Sequence, residues 1–382
     1  MVQIAVMGYG TVGSGVVEVL NTNQASINRR AGDEINIKYV LDLRDFPGDP
    51  VESKLIHDFE TIVNDPEIRI VVEVMGGVEP AYTFTKRCLE AGKSVCTSNK
   101  ELVARHGAEL LEIARERKLN YLFEASVGGG IPIIRPLNSS LTADEITEIT
   151  GILNGTTNYI LTKMSYGGTD FDTALKDAQA KGYAERNPEA DVEGYDACRK
   201  IAILTSLVSG RQVDYEDIYT EGITKVTAED IKYAKKLGRA VKLLAMSKKE
   251  EGKFFAMVAP FLINEMHPLY SVNGVFNAIF AKGNVLGDVM FYGSGAGKLP
   301  TASAVVADVV DAAKHLHCSI MTFWSTKKLE LTDISNAKRR FFVRAKGDGQ
   351  ADAIRMAEIF GPIELVNADL EGEYGFVTGA MT

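Results

Sequence analysis

The chain reads as an α/β protein, with a doubly wound parallel sheet domain followed by a mixed α/β domain, and three observations predict it. A β-branched run, Val2 to Met7, ends in Gly8-Tyr9-Gly10-Thr11-Val12-Gly13 and passes into an apolar helical pattern through Val16, Val17, Val19 and Leu20. Further apolar runs at Ile35 to Leu41, Ile70 to Val74, Ser94 to Thr97 and Asn120 to Phe123 alternate with helical stretches near 80–92 and 100–118. Alternation of this kind builds a parallel sheet with helices on its faces. From Asp144 onward the runs lengthen and are joined by turn residues, which marks a second architecture.

The first domain spans 1–135. Its opening is strand, glycine turn and helix: Gly8 permits the tight turn, Gly10 lets the backbone approach a pyrophosphate, and Gly13 lets the helix pack close to the strand. The helix N-terminus favours the anion. The second strand ends Leu41-Asp42-Leu43-Arg44, offering an acid for a ribose 2′-hydroxyl and an arginine for a 2′-phosphate, so both NAD and NADP fit. Two loops, Glu73 to Gly77 and Thr97 to Lys100, leave the carboxyl ends of strands, where such sheets bind ligands. Lys100 opens a helix, where the macrodipole disfavours a cation, which points to a ligand partner. Glu124 to Pro132, with Gly128, Gly129 and Gly130, is a tight hinge.

The second domain spans 136–320. An extended run from Glu145 to Leu153 leads into Asn154-Gly155-Thr156-Thr157-Asn158, whose hydroxyls can cap a helix beginning near Tyr159. A helix from about Thr227 carries an approximate capping box with Asp230. Strands at Val241 to Met246 and Phe254 to Ile263 follow, with a hairpin around Lys282-Gly283-Asn284. The apolar helix 300–316, after Pro300, returns to the first domain, and the open sheet is suited to pairing with a second copy. The tail spans 321–382, and its last part, Arg340 to Thr382, reads strand, helix, strand and a final short strand.

With 382 residues, 46% hydrophobic and 24% charged, the chain has material for two domains and a small third. A net charge of -9 argues against nucleic-acid binding, because no basic field exists to displace phosphate counterions. No run of about 18 apolar residues occurs, and the start lacks a basic segment before its apolar run, so the expectation is a cytoplasmic protein without membrane contact. Cys88, Cys96, Cys198 and Cys318 have no metal-ligand spacing, and none stands out as a nucleophile. His315 and His317 read as a solvated helix end.

One stretch asks for chemistry. Ala178 to Lys200, AQAKGYAERNPEADVEGYDACRK, crowds acids, glycines and one key lysine onto a loop feeding a helix from Tyr195 to Gly210. On that helix Ala197, Ile201, Leu204, Thr205 and Val208 can face the core, while Asp196 and Lys200, four apart, share a face. An isolated pair of this kind is a surface ion pair worth little. Here Glu185 and Asp191 approach from a loop whose turns are fixed by Gly182, Pro188 and Gly194, so that several carboxylates can converge on one ammonium.

These residues resemble homoserine dehydrogenase. Ala178, Gly182, Tyr183, Ala184, Asn187, Pro188, Asp191, Val192, Gly194, Asp196 and Lys200 fill every position of that family's signature, and the likeness extends over roughly the first 320 residues. The resemblance implies a Rossmann-type nucleotide domain, a substrate and dimerisation domain, and a homodimer. It also implies reversible reduction of L-aspartate 4-semialdehyde to L-homoserine by NAD(P)H, in threonine, methionine and isoleucine biosynthesis. Lys200 would be the general acid, with Lys100 assisting and Asp196 positioning Lys200. Glu185, Asp191, Thr156, Tyr183 and Lys200 would bind substrate. The dinucleotide, leaning to NADP, would meet Gly8, Tyr9, Gly10, Thr11, Val12, Gly13 and Arg44, and also Gly76, Ser98, Lys100, Gly182 and Gly295. Backbone carbonyls of Glu124, Val127, Gly129 and Ile131 would hold sodium or a similar monovalent ion. The tail resembles a regulatory ACT module that lacks its second helix. Two other readings are a nonenzymatic NAD(P) sensor and a different semialdehyde dehydrogenase; the phosphorylating type of the latter needs a placed cysteine.

Overall fold

The computed structural model describes residues 1–321 and 323–382; Thr322, in the tail, lies outside the described residues. The chain begins β1 (Val2–Met7), α1 (Thr11–Thr22), α2 (Gln24–Ala31), β2 (Ile35–Leu41), β3 (Leu55–Ile56), α3 (Glu60–Val63), β4 (Ile68–Glu73) and α4 (Ala81–Glu90). It continues β5 (Ser94–Thr97), α5 (Lys100–Glu116) and β6 (Tyr121–Leu122). These six strands form one parallel sheet in the order β3-β2-β1-β4-β5-β6, the doubly wound order whose switch point lies at β1 and β4. The strands β1, β4 and β5 are buried on both faces, as their apolar, weakly alternating sequences require. Two-residue β3 was not predicted, since Leu55-Ile56 is too short to carry a period.

Next come β7 (Ile146–Ile152), α6 (Gly155–Gly167), α7 (Phe171–Ala180), α8 (Glu189–Val192), α9 (Tyr195–Ser209), β8 (Arg211–Gln212), β9 (Tyr219–Thr220), α10 (Ala228–Lys236), β10 (Arg239–Glu250) and β11 (Lys253–Asn264). After them stand β12 (Phe276–Gly283), β13 (Gly287–Ser294), α11 (Lys298–Lys314), β14 (Ser325–Lys328), β15 (Phe342–Lys346), α12 (Gly349–Phe360), β16 (Ile363–Val366) and β17 (Glu373–Thr378). The second sheet runs β13-β12-β7-β10-β11-β9; β10 and β11 pair antiparallel from Arg239 with Asn264 to Glu250 with Lys253, while β9 joins β11 in parallel. The β10–β11 turn is Glu251-Gly252, both at positive φ (49° and 80°), the backbone twist that a two-residue hairpin needs. The capping box at Thr227 and Asp230 is present on α10.

By contacts the chain divides into two compact units. One comprises Met1–Ile149, Arg199–Asp217 and Asn277–Glu330; the other comprises Thr150–Cys198, Ile218–Phe276 and Leu331–Thr382. In the first, α11 supplies Ala302, Val305, Val306 and Val309 to the core formed by β1, β2 and α1. Gly15 of α1 makes this approach possible, because a Cβ there would stand 2.9 Å from the Lys298 carbonyl oxygen. In the second, the tail forms the sheet β15-β17-β16 with the single helix α12, and Tyr233 of α10 packs against Phe342, Val366 and Val377.

Candidate active site

On the nucleotide side the backbone does the shaping. Gly8 sits at φ +100°, open to glycine, and a Cβ on Gly13 would collide with the Gly8 carbonyl oxygen. Gly10 has open space where its Cβ would stand, and it caps α1 with no side-chain partner and no acid in the first turn. The free amides and the open approach fit an anionic pyrophosphate. Thr11 is exposed and Val12 half-buried beside them. At the end of β2, Asp42 accepts the Tyr9 amide (2.8 Å) and pairs with Arg44 Nε (2.9 Å). The Arg44 guanidinium beside it holds the Asp42 carboxyl well below the usual carboxylate range. Arg44 itself is exposed and lies 5.1 Å over the Phe46 ring.

The two predicted loops are tied together by a residue that the sequence reading left without a role. Glu73, fully buried at the end of β4, accepts the Thr97 hydroxyl (2.6 Å) and the Met75 amide (2.8 Å). Burial pushes its carboxyl up. Asn99 caps α5 by accepting from the Leu102 amide (3.1 Å) and donates to the Gly77 carbonyl (2.6 Å). This frame sets Gly76, Ser98 and Lys100 at the carboxyl end of the sheet, with Gly76 exposed and Ser98 and Lys100 half-buried.

The hinge is built from buried charge. Glu124 turns its carboxylate onto the amides of Ile133 (2.6 Å), Ile134 (2.9 Å) and Arg135 (2.7 Å). Its own amide donates to Asp308, which also takes the Arg135 guanidinium (2.7 Å). Burial raises the Asp308 carboxyl to about 8 against the pull of Arg135. Val127 and Ile131 are buried, Gly128 and Gly129 stand at φ +75° and +55°, and among the described residues the carbonyls of Val127, Gly129 and Ile131 accept no hydrogen bond. Buried carbonyls without donors fit a hard cation. Beside them Gly295 lies against Asn277, whose buried amide has no hydrogen-bond partner, so a second polar group faces the same turn.

The signature region is knit by side chains instead. Ala178 belongs to α7, and Asp191 to the short α8, so the predicted loop is largely two helix ends. Helix α6 starts at Gly155, earlier than the expected Tyr159, and its cap is the Asn154 amide oxygen accepting the Thr157 amide (2.9 Å) rather than a hydroxyl. The other end of that amide donates to Asp191 (2.7 Å) and Asp196 (3.0 Å), clamping two carboxylates with one side chain. The Thr156 hydroxyl donates to the Tyr183 carbonyl (2.6 Å), fixing the turn at Gly182, which has φ +72°. Tyr183 packs edge-on to Tyr159, 4.9 Å between ring centres. Glu185 is exposed, and its carbonyl accepts from Gln179 (3.1 Å).

Helix α9 is buried almost all round: from Asp196 to Leu207 only Arg199 is half-exposed. Asp196 and Lys200 are 5% and 8% exposed, so the surface ion-pair reading does not hold. An ammonium kept in such a place calls for a function or a partner. Val208 is half-buried rather than in the core, and Leu207 takes the position inside. Buried Cys88 and Cys96 have thiols pushed up by burial, Cys88 to about 12, which disfavours covalent thiolate catalysis at either.

Comparison with known proteins decides the family. A family model described as the homoserine dehydrogenase NAD-binding domain matches residues 8–124, and one described as homoserine dehydrogenase matches 132–310. A homoserine dehydrogenase of Synechocystis sp. is 49% identical over 317 residues, covering 81% of this chain and 73% of its own. The chain belongs to the homoserine dehydrogenase family. Its fold matches the crystal structure of a homoserine dehydrogenase from Thiobacillus denitrificans with TM-score 0.87 at 37% identity, covering 99% of this chain and 90% of the other. A hyperthermophilic archaeal homoserine dehydrogenase in complex with NADPH matches at TM-score 0.69 and 30% identity, over 81% and 97%. As a homoserine dehydrogenase the chain is an NAD(P)-dependent oxidoreductase, and its parallel sheet is the dinucleotide-binding part. Among the described residues no helix is long and apolar enough to cross a membrane.

Proposed function

We propose a division of labour for the reversible NAD(P)H-dependent reduction of L-aspartate 4-semialdehyde to L-homoserine. The observation that carries it is the buried Asp196 and Lys200 on α9, with Asp196 and Asp191 held by Asn154. When bound, the dinucleotide supplies or accepts the hydride. Lys200 protonates the oxygen that becomes the homoserine hydroxyl and, in the reverse direction, takes that proton back. Asp196 positions Lys200 from one helical turn away. Lys100, at the opening of α5, assists polarisation of the aldehyde. Asp191 and Glu185 take the substrate ammonium, and Thr156 with Tyr183 shapes the turn that presents them.

The dinucleotide is NADP in preference to NAD. Exposed Arg44 can move from Asp42 to a 2′-phosphate, and the archaeal relative is a complex with NADPH. The carbonyls of Glu124, Val127, Gly129 and Ile131 hold sodium, a reading supported by the three that accept no hydrogen bond. The enzyme works as a cytoplasmic homodimer in amino-acid biosynthesis.

The test is NADP+ and NAD+ reduction with L-homoserine by the wild-type chain and Lys200→Ala. Turnover lost in the variant with dinucleotide binding retained is the expected result. Turnover that survives would hand the proton to Lys100. Glu185→Ala should raise the KM for homoserine more than Lys200→Ala does, and the reverse order would exchange their roles.

A further inference from the structure

The second unit contains a cavity of about 240 Å³ bounded by α6, α10, the start of β10 and the loop after β11. Its size suits an ion or a short organic acid rather than a nucleotide. Lys235, Arg239 and Lys242 line it together with the hydroxyl-bearing Thr162, Ser165 and Tyr166, and no aspartate or glutamate does among the described residues. Lys242 is 2% exposed. Its ammonium donates to the Val272 carbonyl, Asn273 Oδ1 (2.8 Å) and Asn158 Oδ1 (3.4 Å), all neutral groups. None of the acceptors of the Lys242 ammonium is a carboxylate. Burial lowers the Lys242 ammonium to about 8. A buried cation without a counter-ion, walled by two further cations, is costly for a fold unless something negative is taken up.

We propose that this cavity is an effector site for a small oxyanion, a phosphate or a short carboxylate. Lys242 is the floor contact, and Lys235 and Arg239 form the rim. A path of contacts leads from it to the signature region. Lys242 holds the Asn158 side chain, and the Asn158 backbone N–H donates to the backbone carbonyl of Asn154 (3.3 Å), the residue whose side chain clamps Asp191 and Asp196. An oxyanion drawing Lys242 away from Asn158 loosens the first turn of α6 and raises the KM for homoserine.

Calorimetric titration of the full chain with inorganic phosphate and, separately, malonate tests the site. Saturating NADP+ keeps the dinucleotide's own anion contacts filled, and chloride holds the ionic strength constant. Saturable binding of one of the two is expected, and which one binds identifies the ligand chemistry. Lys235→Gln combined with Arg239→Gln, both outside the core, should weaken it about tenfold or more with unchanged thermal stability. Absence of saturable binding by both, or binding indifferent to the double variant, overturns the site and leaves Lys242 a strut between loop and helix. In the second arm the bound anion should raise the wild-type KM for homoserine about fivefold, but not that of the double variant. Binding without that shift overturns the effector role. This arm rests on the proposed homoserine activity and the titration does not, so the two failures are distinguishable.

Discussion

The dinucleotide turn and the signature region make opposite use of the chain. From Gly8 to Gly13 the site is made by what is missing: side chains that would collide with Gly8 or fill the space over Gly10. From Ala178 to Lys200 it is made by what is present, an asparagine amide shared among a helix cap and two aspartates, and a lysine inside a buried helix. A site shaped by backbone fails when atoms are added. A site shaped by side chains fails when atoms are removed.

The largest expected effect belongs to the second kind. Lys200→Ala should lower kcat by about 10²- to 10⁴-fold, the usual span for a lost general acid, while NADP+ affinity stays near wild type by fluorescence titration. Comparable loss of cofactor affinity would mean that Lys200 serves the fold of both regions. Next, Gly13→Ala should destabilise the protein by about 1–3 kcal/mol in denaturant melts, since its Cβ meets backbone that cannot yield. Gly10→Ala has room and a φ of -83°, so it should melt as wild type yet bind dinucleotide more weakly. Equal effects from the two alanines would break the contrast. Asn154→Ala removes a cap and the donor to two aspartates, and should cost about 1–2 kcal/mol of stability and raise the KM for homoserine more than that for NADP+.

The smallest effect concerns pH. The Tyr159 hydroxyl and the Lys181 ammonium hold the Asp177 carboxyl down at about 2 from its ordinary 3.8. Its folded pKa is depressed, so its stabilisation is complete above about pH 4 and is lost as pH falls toward 2. The group is only half-buried and reached by solvent, so the difference between wild type and Asp177→Asn in acid melts should be slight and shrink with salt.

Much of the first region was legible because its physics is local. The strand, glycine turn and helix occupy consecutive positions, and each glycine has its own steric reason. The signature spacing was equally legible, yet its meaning was not, since periodicity marks which residues share a face and not whether that face is covered. The spacing put Asp196 and Lys200 on one face and the resemblance gave Lys200 its role, but that the face is covered by α9's surroundings became visible only in the fold. Asn154 escaped for a related reason. Its partners lie 37 and 42 residues away, and only an asparagine placed before Gly155 hinted at a cap. Glu73 was hidden because a glutamate ending an apolar strand looks solvated until Thr97 is seen across the sheet.

Helix α11 carries a consequence for how the protein is made. The strands it packs on, β1, β2, β4 and β5, end by Thr97, but the helix itself begins at Lys298. During synthesis the nascent β1 and β2 must wait with one apolar face uncovered while most of the polypeptide is still being added. Contacts of that sequence separation form late and slowly. An isolated fragment that ends at residue 135 would therefore keep that face bare and should aggregate on expression, even though it contains every residue of the glycine turn.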